Sequence, residues 1–299
     1  MRKKNLFIET TINDWKDILK LNENFLEDFF FRGQANKEWP LSSSIERLVN
    51  RLYPHYKDSY LFPSQEQSMI KEFQFKSKLF NINHLDNNDY VEWLSVMQHY
   101  GSATRLVDFT KSIFVAKHMA VYESSTDSAV WCVNKHTLGL DIFNYYRKNV
   151  EDIQSCPYDK LIEYSLKLAN DAITDSFKIE DKGILQIFPK SINERIYRQQ
   201  GLFLMPKNIK ISFMENIKVL LYIDQPQVVD FDKFIEYSSN STQGEIGLLK
   251  INIPKEIHSN IIKNLRGMNI NSEILFPGIE GLAKSLNYNL FNSFNPLIK

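Results

Sequence analysis

Residues 93–110 constrain the fold more than any other stretch, because they place polar side chains at the joints of an otherwise apolar scaffold. The order predicted here is a helix that stops at Gly101, a short buried strand, and a second helix over 112–122. Glycine is the expected residue where a helix ends in a left-handed conformation. Hydrogen-bonding side chains retained at such joints indicate a functional site. Six of them stand here, namely Gln98, His99, Tyr100, Arg105, Asp108 and Thr110.

The distribution of apolar segments favours an α+β fold. Strand-like runs cluster after Ala129, whereas helix-like segments lie mainly before and between them, so the two do not alternate as in a doubly wound fold. We therefore expect a mainly antiparallel, split β-sheet core flanked by helices. The 299 residues contain no internal repeat or low-complexity linker, which predicts a single domain over 1–299 with a helical insertion at about 137–182.

Composition and charge exclude several classes of protein. Basic and acidic residues number 36 each, which argues against a large nucleic-acid-binding surface but leaves a local basic groove open. The two cysteines form no metal-binding pair and the histidines are scattered, so no metal site is predicted. No apolar run reaches the length of a membrane span, and the first residues lack the apolar core of a signal peptide. We expect a cytoplasmic protein with no membrane partner.

Arg32 and Gly33 follow an aromatic run that predicts a buried strand. An arginine at the end of such a strand is costly unless it has a partner. Its planar guanidinium group suits a phosphate or a carboxylate, and Gly33 would let a ligand approach the backbone. The alternative is an arginine paired with a structural carboxylate, and the local sequence favours neither.

Alternatives also remain open within the central stretch. His99 suits a general base or a ligand donor, but a histidine at a helix C-terminus is favourable for structural reasons alone. Arg105 and Asp108 are an odd number of residues apart, so they would point to opposite faces of a regular strand. At least one of them is expected in a structural ion pair. Thr110 lies where strand meets helix, and its hydroxyl would cap the helix or contact a ligand.

A third group of polar residues precedes an apolar strand further along the chain. Arg198, Gln199 and Gln200 stand directly before Gly201 and a run that predicts a buried strand. Side chains at such a position can project into a cleft, although an ordinary loop leading into a strand has the same pattern.

These residues resemble the motifs of the FRG domain family, which is named after a Phe-Arg-Gly sequence. The resemblance extends over about residues 25–290 and includes several motifs in the family's order. They are Phe31–Gln34, Trp39–Leu41 with Ser42–Ser44, Gln98–Gly101, Thr104–Thr110, the helix with Ala116 and Ala120, Gln199–Phe203, and Leu275–Pro277 with Gly281.

A weaker resemblance is to ADP-ribosyltransferases of the Arg-Ser-Glu type. These have an arginine at the end of an aromatic strand, then a Ser/Thr-bearing strand followed by a helix, then a loop with Gln/Glu-x-Glu before an apolar strand. The resemblance implies an ADP-ribosyltransferase-like fold and NAD as substrate. It implies catalytic roles for Arg32, Thr110 and Gln200. The implied NAD-binding residues are Arg32, Gly33, His99, Tyr100, Arg105 and Asp108, and the implied acceptor-binding residues are Arg198 and Gln199.

One departure from that pattern affects the expected mechanism. Gln200 or Gly201 stands where these transferases have their catalytic glutamate. The reaction would then need a different polar residue or a glutamate from elsewhere, for which Glu273 and Glu280 are candidates.

Together the two resemblances favour an enzyme. The implied function is a toxin-like ADP-ribosyltransferase that modifies a nucleic acid, preferably RNA, or a protein, in bacterial phage defence or a toxin–antitoxin system. An antitoxin or chaperone would be its partner. Two alternatives stay open. One is a non-catalytic ligand-sensing or interaction module, and the other is an NAD-independent RNA-cleaving toxin that uses His99 and Arg105.

Overall fold

The described part of the chain forms helices around one mixed β-sheet, which confirms the predicted α+β class. The structure is a computed structural model that describes residues 5–21, 23–53, 61–82, 84–139, 158–175, 181–190, 193–223, 225–240 and 244–293. Its eight strands are β1 (Leu6–Thr11), β2 (Phe29–Gln34), β3 (Val107–Thr110), β4 (Ser128–Asn134), β5 (Ile184–Ile187), β6 (Gly201–Pro206), β7 (Gln227–Val228) and β8 (Ile246–Ile253).

The order of strands across the sheet is β5-β6-β3-β2-β4-β8-β1-β7. β1 runs parallel to both β7 and β8, whereas the other neighbouring strands are antiparallel. The sheet is therefore mixed, and the first strand of the chain lies between two of the last. The strands that contain Arg32 and Thr110 are neighbours near the middle of the sheet.

The helices pack on both faces of the sheet and beyond its β5 edge. They are α1 (Glu23–Glu27), α2 (Ser44–Leu52), α3 (Leu61–Ser77), α4 (Tyr90–His99), α5 (Ile113–Val121), α6 (Tyr158–Thr174), α7 (Glu194–Arg198), α8 (Phe213–Leu221), α9 (Phe231–Asn240), α10 (His258–Gly267), α11 (Ser272–Leu275) and α12 (Ile279–Ser293). Short 3-10 helices cover Trp15–Lys20, Lys78–Phe80 and Lys255–Ile257. Within the predicted insertion, α6 is helical, and residues 140–157 and 176–180 lie outside the described residues.

The central stretch folds as the sequence predicts. α4 ends at His99, and Gly101 has a φ of +88°, the left-handed conformation expected after a helix. β3 follows, and the Ser112 hydroxyl accepts a hydrogen bond from the Val115 amide at 3.4 Å, which caps α5. This stretch therefore forms two helices that hold a strand of four residues between them.

Alternation along β2 separates its side chains between two cores. Phe29 and Phe31 pack with Ala116 of α5 on one face of the sheet. Phe30 packs on the opposite face in a cluster that includes Phe213 of α8. Because side chains alternate along a strand, Arg32 shares the face of Phe30, and Gly33 shares the face of Phe31.

Gly33 has a packing role, in place of the expected one of admitting a ligand to the backbone. A Cβ atom at this position would lie 2.0 Å from the carbonyl oxygen of Ala116 and 2.5 Å from the amide nitrogen of Ala120. The strand and α5 can approach this closely only if a hydrogen atom stands where another residue has its side chain. The glycine also faces away from Arg32, so a ligand on the arginine does not need it.

Substituting Gly33 with alanine is expected to lower the free energy of unfolding by about 1–3 kcal/mol, because α5 must move away from β2. Chemical denaturation measures this change. The control is Gly267→Ala at the end of α10, where a Cβ atom would meet nothing within 4 Å beyond its chain neighbours and its own helix. Equal stability of the two variants would show that α5 does not require glycine at position 33.

Candidate functional site

Arg32 extends from β2 at the point where β2 and β3 separate. The two strands pair at Phe31 and Thr110, and one residue further the guanidinium group bridges the gap between them. Its Nη1 donates a hydrogen bond to the main-chain carbonyl of Asp108 at 2.7 Å. The same nitrogen lies 3.8 Å from the carboxylate Oδ2 of Asp108. Its buried Nε has no hydrogen-bond partner among the residues that the structure describes.

The charge of Arg32 is only partly compensated. Burial lowers its pKa from the ordinary value; the nearby Asp108 carboxylate acts to raise it, and Arg47 lowers it further. The side chain of Arg32 is 18% exposed, whereas that of Asp108 is 67% exposed, so water weakens the attraction between them. A guanidinium group in this state binds an anion favourably, because the anion supplies the missing charge and acceptors.

A chain of hydrogen bonds connects Asp108 with residues that are distant in sequence. The Gln98 side-chain amide donates to the Asp108 carboxylate at 2.8 Å, and the Gln98 oxygen accepts a bond from the Thr104 hydroxyl. The Thr104 amide in turn donates to the Ser44 hydroxyl at 2.9 Å. Through these bonds the structure joins β2, α2, α4 and β3 around Arg32.

Arg105 lies in the core and does not reach this network. It is fully buried and pairs with Glu66 of α3, which accepts bonds from its Nε at 2.8 and 3.0 Å. Its Nη2 also donates to Glu66, and its Nη1 donates to the carbonyl of Ala172 in α6 at 3.3 Å. Its partner is therefore a glutamate of α3, and the structure gives Arg105 a structural role in place of the expected NAD-binding or RNA-cleaving one.

Thr110 also serves the scaffold. Its hydroxyl donates to the carbonyl of Gln199 at 2.7 Å and accepts a bond from the Ser112 amide at 3.0 Å. The residue is buried and shares the face of its partner Phe31, opposite to that of Arg32. The structure therefore does not bring the Thr110 hydroxyl to the guanidinium group, although the two strands are adjacent.

The segment before β6 is fixed by contacts with α11. The Gln199 side chain donates to the carbonyl of Leu275 at 3.0 Å. Arg198 donates to the carbonyl of Ile274 at 3.0 Å and to the carboxylate of Glu194 at 2.6 Å. Gln199 and Arg198 thus connect two of the motifs found in the sequence and hold the end of α7 in place.

Gln200 is exposed and has a φ of +48°, in the left-handed region. This conformation is unusual for a residue other than glycine, and it costs about 1–2 kcal/mol. The Lys111 amide donates to its carbonyl at 3.1 Å, which helps to hold the turn. Because the residue is exposed, its side chain is accessible to solvent directly before β6.

His99 and Tyr100 lie at the surface, at the C-terminal end of α4. His99 Nδ1 is 3.4 Å from the side-chain amide of Asn193, which precedes α7. Tyr100 is 65% exposed, and its ring meets that of His99 edge to face at 5.0 Å. Both residues are accessible to a ligand beside α7.

Sequence reasoning missed Glu66, the partner of Arg105. Its position in α3 has no local pattern that distinguishes it from the exposed Glu72 on the same helix. Only the packing of α3 against α4 and α6 reveals its role.

A separate buried histidine, His118 of α5, supports α11. Its Nε2 lies 3.3 Å from the hydroxyl of Ser272, and burial lowers its pKa to about 4. In an unfolded chain its pKa is about 6.5. The folded protein therefore binds fewer protons than the unfolded chain between these values, so stability is lost as the pH falls from about 6.5 to about 4.

A His118→Gln variant is expected to show a weaker dependence of stability on pH in this range. The wild-type protein should lose up to about 3 kcal/mol more than the variant between pH 7 and pH 4. Urea denaturation at several pH values measures the difference. The exposed His99 provides the control, because His99→Gln removes a histidine from the surface and leaves the contacts of His118 intact. Parallel curves for wild type and His118→Gln would contradict the buried, neutral histidine.

The fold and the site define an α+β protein with a polar site around a partly paired, largely buried arginine. Residues 27–129 match the family model of the FRG domain, which confirms that resemblance over about a third of the chain. Arg32, Gln98, Thr104 and Asp108 all lie within the matched segment. No curated protein and no solved structure matches the chain. None of the described helices is both long and apolar enough to span a membrane.

Proposed function

We propose that the Arg32 site binds NAD, and that the protein is a toxin-like ADP-ribosyltransferase. The observation that supports this most is the incompletely paired guanidinium group of Arg32 where β2 and β3 separate. A pyrophosphate offers paired oxygens that match the planar fork of an arginine. NAD would bring such a group and would leave its reactive ribose nearby.

The positions of the three transferase-like motifs support the same proposal. β2, β3 and β6 are neighbours in the sheet, and Thr110 pairs with both Phe31 and Gly201. The three motif segments therefore meet in one row across the sheet. Phe31 and Thr110 are the one pair that joins β2 with β3 in the described residues, and this limited pairing supports the split sheet and the ADP-ribosyltransferase-like fold proposed for this chain.

The chemistry of transfer requires a negative group near the ribose. The bond between nicotinamide and ribose breaks with its electron pair leaving on nicotinamide, and positive charge develops on the sugar. The acceptor forms a bond to the same ribose carbon and loses a proton. Gln200 is neutral, whereas Asp108 supplies an exposed carboxylate that Gln98 orients at 2.8 Å. In this proposal Asp108 stabilises the developing charge and accepts the proton.

The remaining surface residues would bind the nicotinamide group and the acceptor. Tyr100 offers an exposed ring for stacking on nicotinamide, with His99 beside it. Gln200 and Arg198 would orient the acceptor, and Gln199 with Thr110 would keep this turn in position.

The proposed acceptor is a nucleic acid, with RNA favoured, or a protein. The proposed setting is bacterial phage defence or a toxin–antitoxin system in the cytoplasm, with an antitoxin or chaperone as partner. These parts of the proposal follow from the resemblance to FRG proteins and transferases.

The test is incubation of the purified protein with NAD labelled in its adenylate phosphate, together with cellular RNA, DNA and protein. We expect label on one class of polymer, RNA first, together with release of unlabelled nicotinamide. Intact NAD and unlabelled polymers would overturn the transferase proposal.

A second candidate function is a ligand-sensing module without catalysis. The observations that favour it are the neutral Gln200 at the usual place of the glutamate and the Thr110 hydroxyl, which is occupied by two hydrogen bonds. Saturable binding of NAD without release of nicotinamide would support this function over transfer.

A further inference from the structure

The face of the sheet that carries Arg32 changes from apolar to polar along its strands. Phe30, Val133, Leu248 and Phe7 form one row across β2, β4, β8 and β1, in a cluster that includes side chains of α8. Two residues further along each strand, a second row lies on the same face. This polar row consists of Arg32, Trp131, Lys250 and Glu9.

Three members of the polar row, Glu9, Lys250 and Trp131, are in contact along the sheet, and Asn252 beside them joins this group. Glu9 accepts bonds from Lys250 at 2.9 Å and from the side-chain amide of Asn252 at 2.8 Å. The Lys250 ammonium lies 5.5 Å from the centre of the Trp131 ring. Burial acts to raise the pKa of Glu9, but the bonds from Asn252 and Lys250 outweigh it and hold the pKa below its ordinary value. Glu9 is therefore ionised at neutral pH.

Two polar atoms on this face are buried without a partner in the described parts of the chain. One is the Nε of Arg32, a donor, and the other is the Oδ1 of Asn252, an acceptor. Each such atom is unfavourable, because it has lost its hydrogen bonds to water and gained none from the protein. Charged and polar side chains on central strands are also costly to bury. The combination is typical of a face that is completed by a ligand.

The spacing of these groups indicates the size of the ligand. Arg32 and Glu9 are three strands apart, which places their Cα atoms about 14 Å from each other at the usual strand separation. Arg32 and Asn252 are two strands and two residues apart, or about 12 Å. A single phosphate is too short to contact both ends, whereas a phosphate joined to a nucleoside is long enough.

The chemistry of each end indicates its part of the ligand. Arg32 suits a phosphate because of its charge and planar fork. A carboxylate such as that of Glu9 binds ribose hydroxyls, and an asparagine side chain pairs with the amino group of adenine. Glu9 is 20% exposed and Lys250 is 12% exposed, so this end of the row is reachable from solvent.

We propose that the polar row with Asn252 is a nucleotide-binding groove, with the phosphate on Arg32 and the nucleoside at Glu9 and Asn252. Trp131 forms its floor. The identity of the ligand as the adenylate half of NAD rests on the proposed function. The groove itself requires only a nucleotide of this size.

Calorimetric titration with ADP and with inorganic pyrophosphate tests the groove. We expect the wild-type protein to bind ADP at least about tenfold more tightly than pyrophosphate, because only ADP reaches Glu9 and Asn252. Glu9→Gln should weaken ADP binding about tenfold and leave pyrophosphate binding unchanged. Arg32→Gln should weaken both. The control is Asp232→Asn, since Asp232 is 83% exposed and pairs with Lys20 away from the row.

Two results would overturn the groove. One is equal affinity of the wild-type protein for ADP and pyrophosphate, which needs no variant to fold. The other is unchanged ADP binding by a folded Glu9→Gln variant. ADP contains no nicotinamide bond, so its binding does not depend on transfer. If the protein binds ADP through Glu9 but transfers no ADP-ribose, only the proposed function is rejected. If it transfers ADP-ribose but Glu9→Gln binds ADP as tightly as the wild type, only the groove is rejected.

Discussion

Replacing Glu66 with glutamine is expected to lower the free energy of unfolding by about 3–5 kcal/mol. The change keeps the shape of the side chain but leaves the Arg105 guanidinium group without a counter-ion. Arg105 is 0% exposed and Glu66 is 1% exposed, so water cannot compensate for the lost charge. Denaturation by urea at neutral pH measures the effect.

Two further variants isolate the cause of that loss. Glu72→Gln is the matched control, because Glu72 lies on the same helix and pairs with Lys76 in solvent, where an ion pair contributes little. Combining Glu66→Leu with Arg105→Met should recover most of the stability, since apolar residues often replace a buried pair without loss. A Glu66→Gln variant as stable as Glu72→Gln would contradict a buried structural pair.

If the proposed function holds, replacing Arg32 with glutamine is expected to reduce NAD-dependent transfer at least about 100-fold, because the variant loses the charge that would hold the pyrophosphate. The same change should leave the protein as stable as the wild type or more stable. The reason is that Arg32 is desolvated and only partly paired. Its substitution therefore also removes the free-energy cost of burying an incompletely paired charge. Arg32→Lys should remain impaired, because an ammonium group lacks the planar fork.

The combination of ligand binding and stability distinguishes a binding residue from a structural one. A structural arginine would give a variant that is less stable by several kcal/mol and binds ligand normally when folded. A ligand-binding arginine gives the opposite result. Thermal unfolding of each variant with and without NAD provides both readouts, because a ligand raises the melting temperature only where it binds.

Local patterns were sufficient to predict the central part of the fold. Gly101 predicts the end of α4, and Ser112 predicts the start of α5, because a glycine or a hydroxyl at these positions satisfies the backbone within a few residues. The short apolar run between them predicts the buried strand β3. The resemblance to the FRG domain, confirmed over residues 27–129, was likewise predicted from motifs that are readable along the chain.

Contacts between distant segments could not be predicted in this way. Arg105 finds its partner 39 residues earlier in the chain, and Gly33 is required by a helix more than 80 residues later. β1 pairs in parallel with β8, which follows it by more than 200 residues, so the mixed order of the sheet has no local signature. Lys250 and Asn252 interrupt an apolar strand, and only the register aligns them with Glu9 and Arg32.

A crystal structure of the protein with bound ADP-ribose would test the central claim most directly. We predict a phosphate of the ligand within hydrogen-bonding distance of the Arg32 guanidinium group, with the unpartnered Nε among the donors. Ligand bound elsewhere, with Arg32 still bonded only to the Asp108 carbonyl, would contradict the claim that Arg32 is the anion-binding centre of this protein.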